Sequence, residues 1–215
     1  MTMRADARRN LEQLLEAARD LVAEKGPGVA LEEVAQRAGV GIATLYRRFP
    51  DRAALLRGVV LDALEQTRLV AERAAEAHED DAFEALATYL RAALELRVSA
   101  VIPQVLDVID LNEPELAQAR ETSARATEAL VEAAQVSGDL PKDVTFADVG
   151  MMLVRIARPL PGPMPDELKH DLARRHLELF LRGLRHGDGP LDGPAFSRAD
   201  LSDLVQGGQG PTLSS

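Results

Sequence analysis

The sequence predicts an all-α protein with a small N-terminal helix-turn-helix head and a larger helical body. Apolar residues recur at intervals of three and four along most of the chain, which is the spacing of one helical face. No segment shows the alternation of apolar and polar residues that is typical of a half-buried strand. Clusters of glycine and proline separate the periodic segments and mark their ends.

Three helices are predicted in the first 50 residues. The first spans 10–24, where leucines, alanine and valine share one face, and it ends before the Gly-Pro-Gly sequence at 26–28. The second spans 31–38, and Gly39 ends it as a C-terminal glycine cap would. The third, 42–49, has apolar residues spaced by three and four, so its opposite surface is polar.

The second and third predicted helices form a helix-turn-helix, because they are joined by a turn of about three to four residues that contains glycine. The second helix of such a unit lies in the DNA major groove and presents its exposed side chains to base edges and phosphates. The sequence therefore predicts that 42–49 reads double-stranded DNA.

Side chains on the polar surface of this helix supply the candidate DNA contacts. Hydroxyl and guanidinium groups can bind phosphate, and arginine can also reach a guanine edge. An apolar side chain near the helix start could meet a thymine methyl group, although Ile42 could equally pack in the core. The predicted contact residues are Ile42, Ala43, Thr44, Tyr46, Arg47, Arg48 and Arg52.

The remaining chain is predicted to be helical as far as residue 186. A long helix with Asp51 as its N-cap could link the head to the body, and Thr145 with Asp148 forms a capping-box pattern. The segment 158–165 contains four prolines and is predicted to be an irregular connector. Residues 187–215 are rich in glycine and proline and are predicted to be a largely flexible tail. The predicted helices are 51–77, 82–98, 102–110, 113–137, 145–158 and 165–185.

Composition and charge limit the function. The 215 residues are 46% hydrophobic and include no cysteine, so disulfides, thiolate catalysis and cysteine-bound zinc are excluded. No apolar run reaches 18 residues and the polar N-terminus lacks the apolar core of a secretion signal, so we expect a cytoplasmic protein without a membrane partner. Residues 1–60 contain 10 Lys and Arg against 8 Asp and Glu, whereas 61–215 contain 15 against 27. A phosphate backbone is therefore expected only at the N-terminal segment.

Residues 31–56, LEEVAQRAGVGIATLYRRFPDRAALL, resemble the DNA-binding segment of the TetR family of bacterial transcription regulators. The family pattern is I-A-x-x-A-G-V-S-x-G-T-L-Y-x-H-F-x-x-K-x-x-L, and the resemblance extends over about residues 8–60. The matching residues are Val34, Ala35, Ala38, Gly39, Val40, Thr44, Leu45, Tyr46, Phe49, Arg52 and Leu55. Ala30, Gly41 and Arg48 depart from the pattern, so the operator cannot be inferred by analogy.

The resemblance implies the organisation of the whole chain. Residues 1–50 would be the DNA-binding domain, and residues 51–186 would be a ligand-binding and dimerisation domain that begins with the linker helix. Two-fold dimers suit palindromic operators, because each recognition helix reads one half-site. The apolar residues of the last two helices are expected either to fill the chain's own core or to form a four-helix dimer interface. The interface candidates are Phe146, Val149, Leu153, Ile156, Leu177, Phe180, Leu181 and Leu184.

An unknown small molecule is expected to bind the body. Arginine beside methionine could receive an anionic ligand, or the same residues could instead pair with acidic neighbours or fill the body. The ligand-binding candidates are Tyr89, Arg97, Met151, Arg155 and Arg158.

Enzyme chemistry is not supported. Glu167-x-x-His170 has the spacing of a di-iron ligand pair, but such sites need a second pair and two more carboxylates, and no second pair exists. The chain has neither a phosphate-binding glycine loop nor a nucleophile elbow. No catalytic residue, metal or cofactor is therefore expected.

The sequence thus predicts a homodimeric, ligand-responsive repressor that binds a palindromic operator and is released by a small molecule. One alternative is a DNA-binding regulator controlled by a protein partner or by its own abundance, which an enclosed cavity of about 300 to 1,000 Å³ in the body would argue against. Another alternative is a helical enzyme or carrier whose head no longer binds DNA.

Overall fold

The computed structural model describes residues 2–158, 160, 162–187, 191–197 and 200, and within them it contains nine helices and no strand. The all-α prediction is confirmed. Most of the predicted tail, 187–215, lies outside the described residues. The helices are α1 Thr2–Lys25, α2 Leu31–Ala38, α3 Ile42–Arg48, α4 Arg52–Ala77, α5 Ala82–Glu95, α6 Val98–Val105, α7 Pro114–Ser137, α8 Phe146–Ala157 and α9 Asp166–His186.

The helix ends follow local sequence signals in most places. Gly39 adopts the left-handed conformation, with φ of 66°, and ends α2 as predicted. Asp51 Oδ1 accepts a hydrogen bond of 2.8 Å from the Ala54 amide at the start of α4. Thr145 and Asp148 form the predicted capping box at the start of α8.

The predicted helix at 102–110 is wrong in its position, because α6 spans Val98–Val105. The preceding residue, Arg97, has φ of 53°, and it is the only non-glycine residue with positive φ in the described chain. This left-handed residue interrupts the segment that apolar spacing predicts as one helix to residue 98. No glycine or proline marks the break, so a pattern-based prediction could not find it.

By contacts the chain divides into two compact units, and the boundary between them passes through α4 and α7. The first unit contains the residues up to Gln66 together with Leu96–Arg120, and the second contains Thr67–Glu95 with the described residues from Glu121 onward. The functional boundary expected at residue 50 remains a prediction.

The first unit is built around the buried stripe of α1, which packs against α2 and α6. Leu45 of α3 and Phe49, the residue that caps its C-terminus, complete this core, as their spacing predicted. Gly58 of α4 leaves room for the Phe49 ring, since a Cβ there would lie 2.8 Å from Phe49 Cε1. A side chain at this position would displace the ring that holds α3 in place.

The second unit has its own apolar core from α5, the latter part of α7, α8 and α9. α5 contributes the most continuous set of buried residues, from Phe83 to Leu94, and it packs against both α8 and α9. Five interface candidates, Val149, Leu153, Leu177, Leu181 and Leu184, are buried in this core.

Candidate nucleic-acid interface

The third helix presents one apolar side to the protein and one polar side to solvent. Leu45 is fully buried and Phe49 is 7% exposed, while Ile42 on the other side is 39% exposed and Tyr46 is 44% exposed. Thr44 is half-buried at the edge. The exposed Ile42 is therefore available to a base edge, which favours the DNA-contact interpretation over core packing.

Three arginines extend this surface with positive charge. Arg47 and Arg48 occupy the last turn of α3, and Arg52 is the first residue of α4. All three are exposed, and no described carboxylate pairs with any of them. Ala43, which is also exposed, completes the predicted set. All seven predicted DNA-contact residues therefore lie on α3 or on the first residue of α4.

Tyr46 has a partner that sequence analysis missed. Its hydroxyl donates a hydrogen bond of 3.2 Å to Glu32 Oε1 on α2, and both side chains are exposed. This bond to a carboxylate raises the pKa of Tyr46 above its ordinary value. Fourteen residues separate the pair, so no local spacing rule could have identified it.

Other acidic residues of the first unit are also engaged by neighbours. Glu33 pairs with Lys25, and Glu24 accepts two hydrogen bonds from Arg37, at 3.2 and 3.0 Å. These hydrogen bonds and charges raise the pKa of Arg37. The positive charge of Arg47 and its neighbours is therefore not offset by these carboxylates.

One of the five ligand candidates has acidic neighbours within its own unit. Arg97 belongs to the first unit, where its guanidinium lies 3.8 Å from Asp20 Oδ1 and 3.7 Å from Glu24 Oε1. The acidic-neighbour interpretation therefore accounts for Arg97.

The other four ligand candidates belong to the second unit. Tyr89 is buried, its oxygen accepts a hydrogen bond of 3.1 Å from Thr127 Oγ1, and burial raises its pKa. Met151, Arg155 and Arg158 are instead exposed. A buried phenol and an exposed helix surface do not make a common pocket.

A groove of about 500 Å³ lies elsewhere in the second unit, among α4, α5 and α7. Its lining includes the buried residues Ala71, Ala85 and Leu130. His78 also lines it, and its Nε2 lies 3.1 Å from Thr88 Oγ1. Alanines make up much of the lining, and short side chains leave the space open. None of the predicted ligand residues lines this groove.

The predicted interface residues divide between the inside and the outside of the second unit. The five buried ones are accounted for by the chain's own core, because side chains with under 10% exposure have little surface left for a partner. Phe146, Ile156 and Phe180 are half-buried. The same two helices also expose apolar side chains outside the list of interface candidates, namely Met151, Leu168 and Leu179 at 43%, 47% and 55%.

The histidine of the Glu167-x-x-His170 sequence pairs with a carboxylate of α5. His170 Nε2 lies 3.0 Å from Glu95 Oε2. The described residues contain no group of three or more potential ligands that could hold a metal ion. No helix among the described residues is long and apolar enough to cross a membrane.

Two family models match the chain. Residues 14–59 match the model described as bacterial regulatory proteins, tetR family, and residues 81–186 match the model described as transcriptional regulator SbtR-like, C-terminal domain. The first match contains the whole of α2 and α3, and the second extends from the start of α5 to the end of α9. No curated protein matches the chain.

Solved structures give similar folds over nearly their whole length. The TetR transcriptional regulator SCO0520 from Streptomyces coelicolor is 29% identical, with a TM-score of 0.61, over 83% of this chain and 99% of that one. A TetR transcription regulatory protein from Mycobacterium vanbaalenii is also 29% identical, with a TM-score of 0.61, over 85% and 99%. The TetR family regulator PfmR from Thermus thermophilus is 26% identical, with a TM-score of 0.55, over 80% and 98%.

Proposed function

Because this chain belongs to the TetR family of bacterial regulatory proteins and is a DNA-binding transcription regulator, we propose that it acts as a homodimeric repressor of a palindromic operator. The observation that carries the proposal is the division of the segment 42–49, with Leu45 and Phe49 buried and Ile42, Tyr46 and Arg47 turned to solvent. In the complex, α3 lies in the major groove, where Arg47 reaches base edges or phosphates. Tyr46 binds the phosphate backbone, as do the arginines at the end of α3 and at the start of α4.

The dimer is proposed to form through the exposed sides of α8 and α9. Met151, Leu168 and Leu179 expose large apolar side chains there, and Ile156 and Phe180 are half-buried. Two copies of this surface related by a two-fold axis would bury these side chains against each other. The same axis gives each half of a palindromic operator its own recognition helix.

A small molecule is proposed to release the DNA. The alanine-lined groove is open to solvent rather than enclosed, and it supports this by its volume of about 500 Å³, which is in the range of ligand sites. The effector must bind one arrangement of the linker helix α4 more tightly than the other to shift the spacing of the recognition helices. A coupling of about 1 to 3 kcal/mol, or about 5- to 150-fold in DNA affinity, is typical of allosteric proteins.

Fluorescence anisotropy with DNA from upstream of the chain's own gene tests the proposal, beside a scrambled duplex. We expect the native duplex to bind about 10³-fold more tightly, with a steep salt dependence. Equal binding to both duplexes would lead to selection of a preferred sequence from genomic fragments. Failure of that selection to enrich any sequence would refute the specific-repressor proposal.

A further inference from the structure

Tyr46 and Glu32 form a contact within the DNA-binding surface that the proposed function leaves unused. The Tyr46 hydroxyl has one proton, and it is donated to Glu32 Oε1 across 3.2 Å. The contact is exposed, so a DNA phosphate could reach the same hydroxyl. A tyrosine hydroxyl can donate to only one acceptor at a time.

The chemistry of the two acceptors makes them competitors. Carboxylate and phosphate are both anionic oxygen acceptors, and both form strong hydrogen bonds with a neutral donor. When Tyr46 donates to phosphate, Glu32 loses its partner and its negative charge remains beside the DNA backbone. Both the lost bond and the charge repulsion oppose binding.

We propose that Glu32 sets the affinity of this regulator for DNA by competing with backbone phosphate for the Tyr46 hydroxyl. The inference rests on the proposed contact of Tyr46 with phosphate. Phosphate contacts carry no direct sequence information, so Glu32 lowers the affinity for operator and for other duplexes by the same factor. It therefore sets affinity and leaves the specificity ratio unchanged.

A neighbouring residue provides a matched control for this proposal. Glu32 and Glu33 both lie in the first turn of α2, where their charges favour the helix and offset the missing side-chain cap at Ala30. Glu33 pairs with Lys25 of α1, whereas Glu32 accepts the bond from Tyr46. Glu33→Gln therefore removes the same charge from the same helical turn without freeing the hydroxyl.

The experiment measures binding of wild type, E32Q, E33Q, Y46F and the E32Q/Y46F double variant to the selected operator and to a scrambled duplex. Salt is set at about 50 and about 200 mM, and thermal unfolding checks that each variant is folded. We expect E32Q to tighten binding to both duplexes about three- to tenfold at low salt, because the neutral amide oxygen of glutamine competes for the hydroxyl more weakly than the carboxylate does. The gain should shrink at higher salt, because exposed charges are screened. E33Q should stay within about twofold of wild type, because Glu33 contacts Lys25 and not Tyr46, so its replacement changes no acceptor of the hydroxyl.

The double variant separates competition from simple charge removal. We expect the gain from E32Q to fall by at least half in the Y46F background, since no hydroxyl is left to release. An equal gain in both backgrounds, an equal gain from E33Q, or weaker binding by E32Q would each overturn the proposal. The scrambled duplex reports on Glu32 even if no operator is preferred, so this failure is distinguishable from failure of the proposed function.

Discussion

Among single residues, the arginines of the first unit fall into two kinds. Arg19 donates a hydrogen bond of 2.9 Å to Asp62, and Arg57 donates one of 2.8 Å to Glu113, so both hold helices together. Arg47 is exposed and has no described carboxylate partner. A guanidinium that pairs with no carboxylate of its own chain is available to an external anion.

Replacing Arg47 tests this availability. We expect R47A to weaken operator binding by about 1 to 3 kcal/mol and, if the contact is to phosphate, to reduce the salt slope by about one. Arg73→Ala serves as the control, because Arg73 is an exposed arginine of α4 outside the predicted contact set. Anisotropy titrations at several salt concentrations provide both values. Wild-type DNA affinity and salt slope in R47A would show that the DNA-contact surface lies elsewhere.

Glu95 at the end of α5 is the most strongly perturbed carboxylate of the second unit's described residues. It accepts hydrogen bonds of 2.7 and 2.9 Å from Arg174 and lies 3.0 Å from His170. These contacts, the Arg174 hydrogen bonds first, lower the pKa of Glu95 to about 2. The cluster joins α5 to α9 within this unit.

The lowered pKa makes a signed prediction about acid stability. A glutamate in the unfolded chain titrates at about 4.3. Glu95 therefore contributes its full stabilisation above that pH and loses it as pH falls towards about 2. The side chain is 45% exposed, so solvent screening keeps the contribution below about 1 kcal/mol.

Urea unfolding of wild type and E95Q between about pH 7 and about pH 2.5 measures this contribution. We expect the variant to be less stable near neutral pH and the difference to narrow as pH falls through the window. Glu132→Gln, at an exposed position of α7, should show no such pH-dependent difference. A gap between wild type and E95Q that is constant with pH would contradict the assignment.

Among the helices, α8 has the most complete start. Thr145 Oγ1 accepts a hydrogen bond of 3.1 Å from the Asp148 amide, and Asp148 Oδ2 accepts one of 2.8 Å from the Thr145 amide. The reciprocal pair satisfies two amides that the helix itself cannot.

Removing this cap should destabilise the chain. We expect T145A to lower the free energy of unfolding by about 1 kcal/mol, whereas T145S, which keeps the hydroxyl, should lose less than half of that. Urea denaturation monitored by circular dichroism measures both. Equal losses in the two variants would show that the threonine methyl group, rather than its hydroxyl, stabilises the helix.

At the scale of the whole molecule, α9 carries apolar residues on two sides, of which one is buried and the other is exposed. Leu177 is 1% exposed within the core, whereas Leu179, two positions further, is 55% exposed. The neighbouring helix α8 exposes Met151 as well, at 43%. This difference assigns Leu177 to folding and Leu179 to the proposed dimer.

A charge at position 179 should separate assembly from folding. We expect L179E to shift the protein from dimer to monomer and to weaken operator binding, because burying an unpaired carboxylate in an interface is costly. Its thermal stability per protomer should change far less than that of L177A, which empties a core position. Analytical ultracentrifugation measures the assembly state.

Val136 provides the control for this experiment. It is 88% exposed on α7, outside the proposed interface, so V136E introduces the same charge at another exposed apolar position. We expect V136E to remain dimeric. Dimerisation of L179E at the wild-type concentration would exclude the proposed surface.

The features that depend on neighbouring residues could be predicted from the sequence. Apolar spacing predicted α2 at its observed bounds, and Gly39 and Thr145 ended or began helices as expected. The motif around Tyr46 was enough to indicate the family. Such signals are reliable because capping, turns and helical periodicity act over only a few residues.

Only the tertiary fold shows which partner each exposed group contacts and which apolar side of a helix faces inward. The pairing of Tyr46 with Glu32 joins residues 14 positions apart, and the left-handed Arg97 that precedes α6 has no local signal. A helix with two apolar sides gives the same periodicity whichever side is buried, so the fates of Leu177 and Leu179 could not be read from spacing. The physical reason is that burial and ion pairing depend on distance in space, which the order of residues along the chain does not specify.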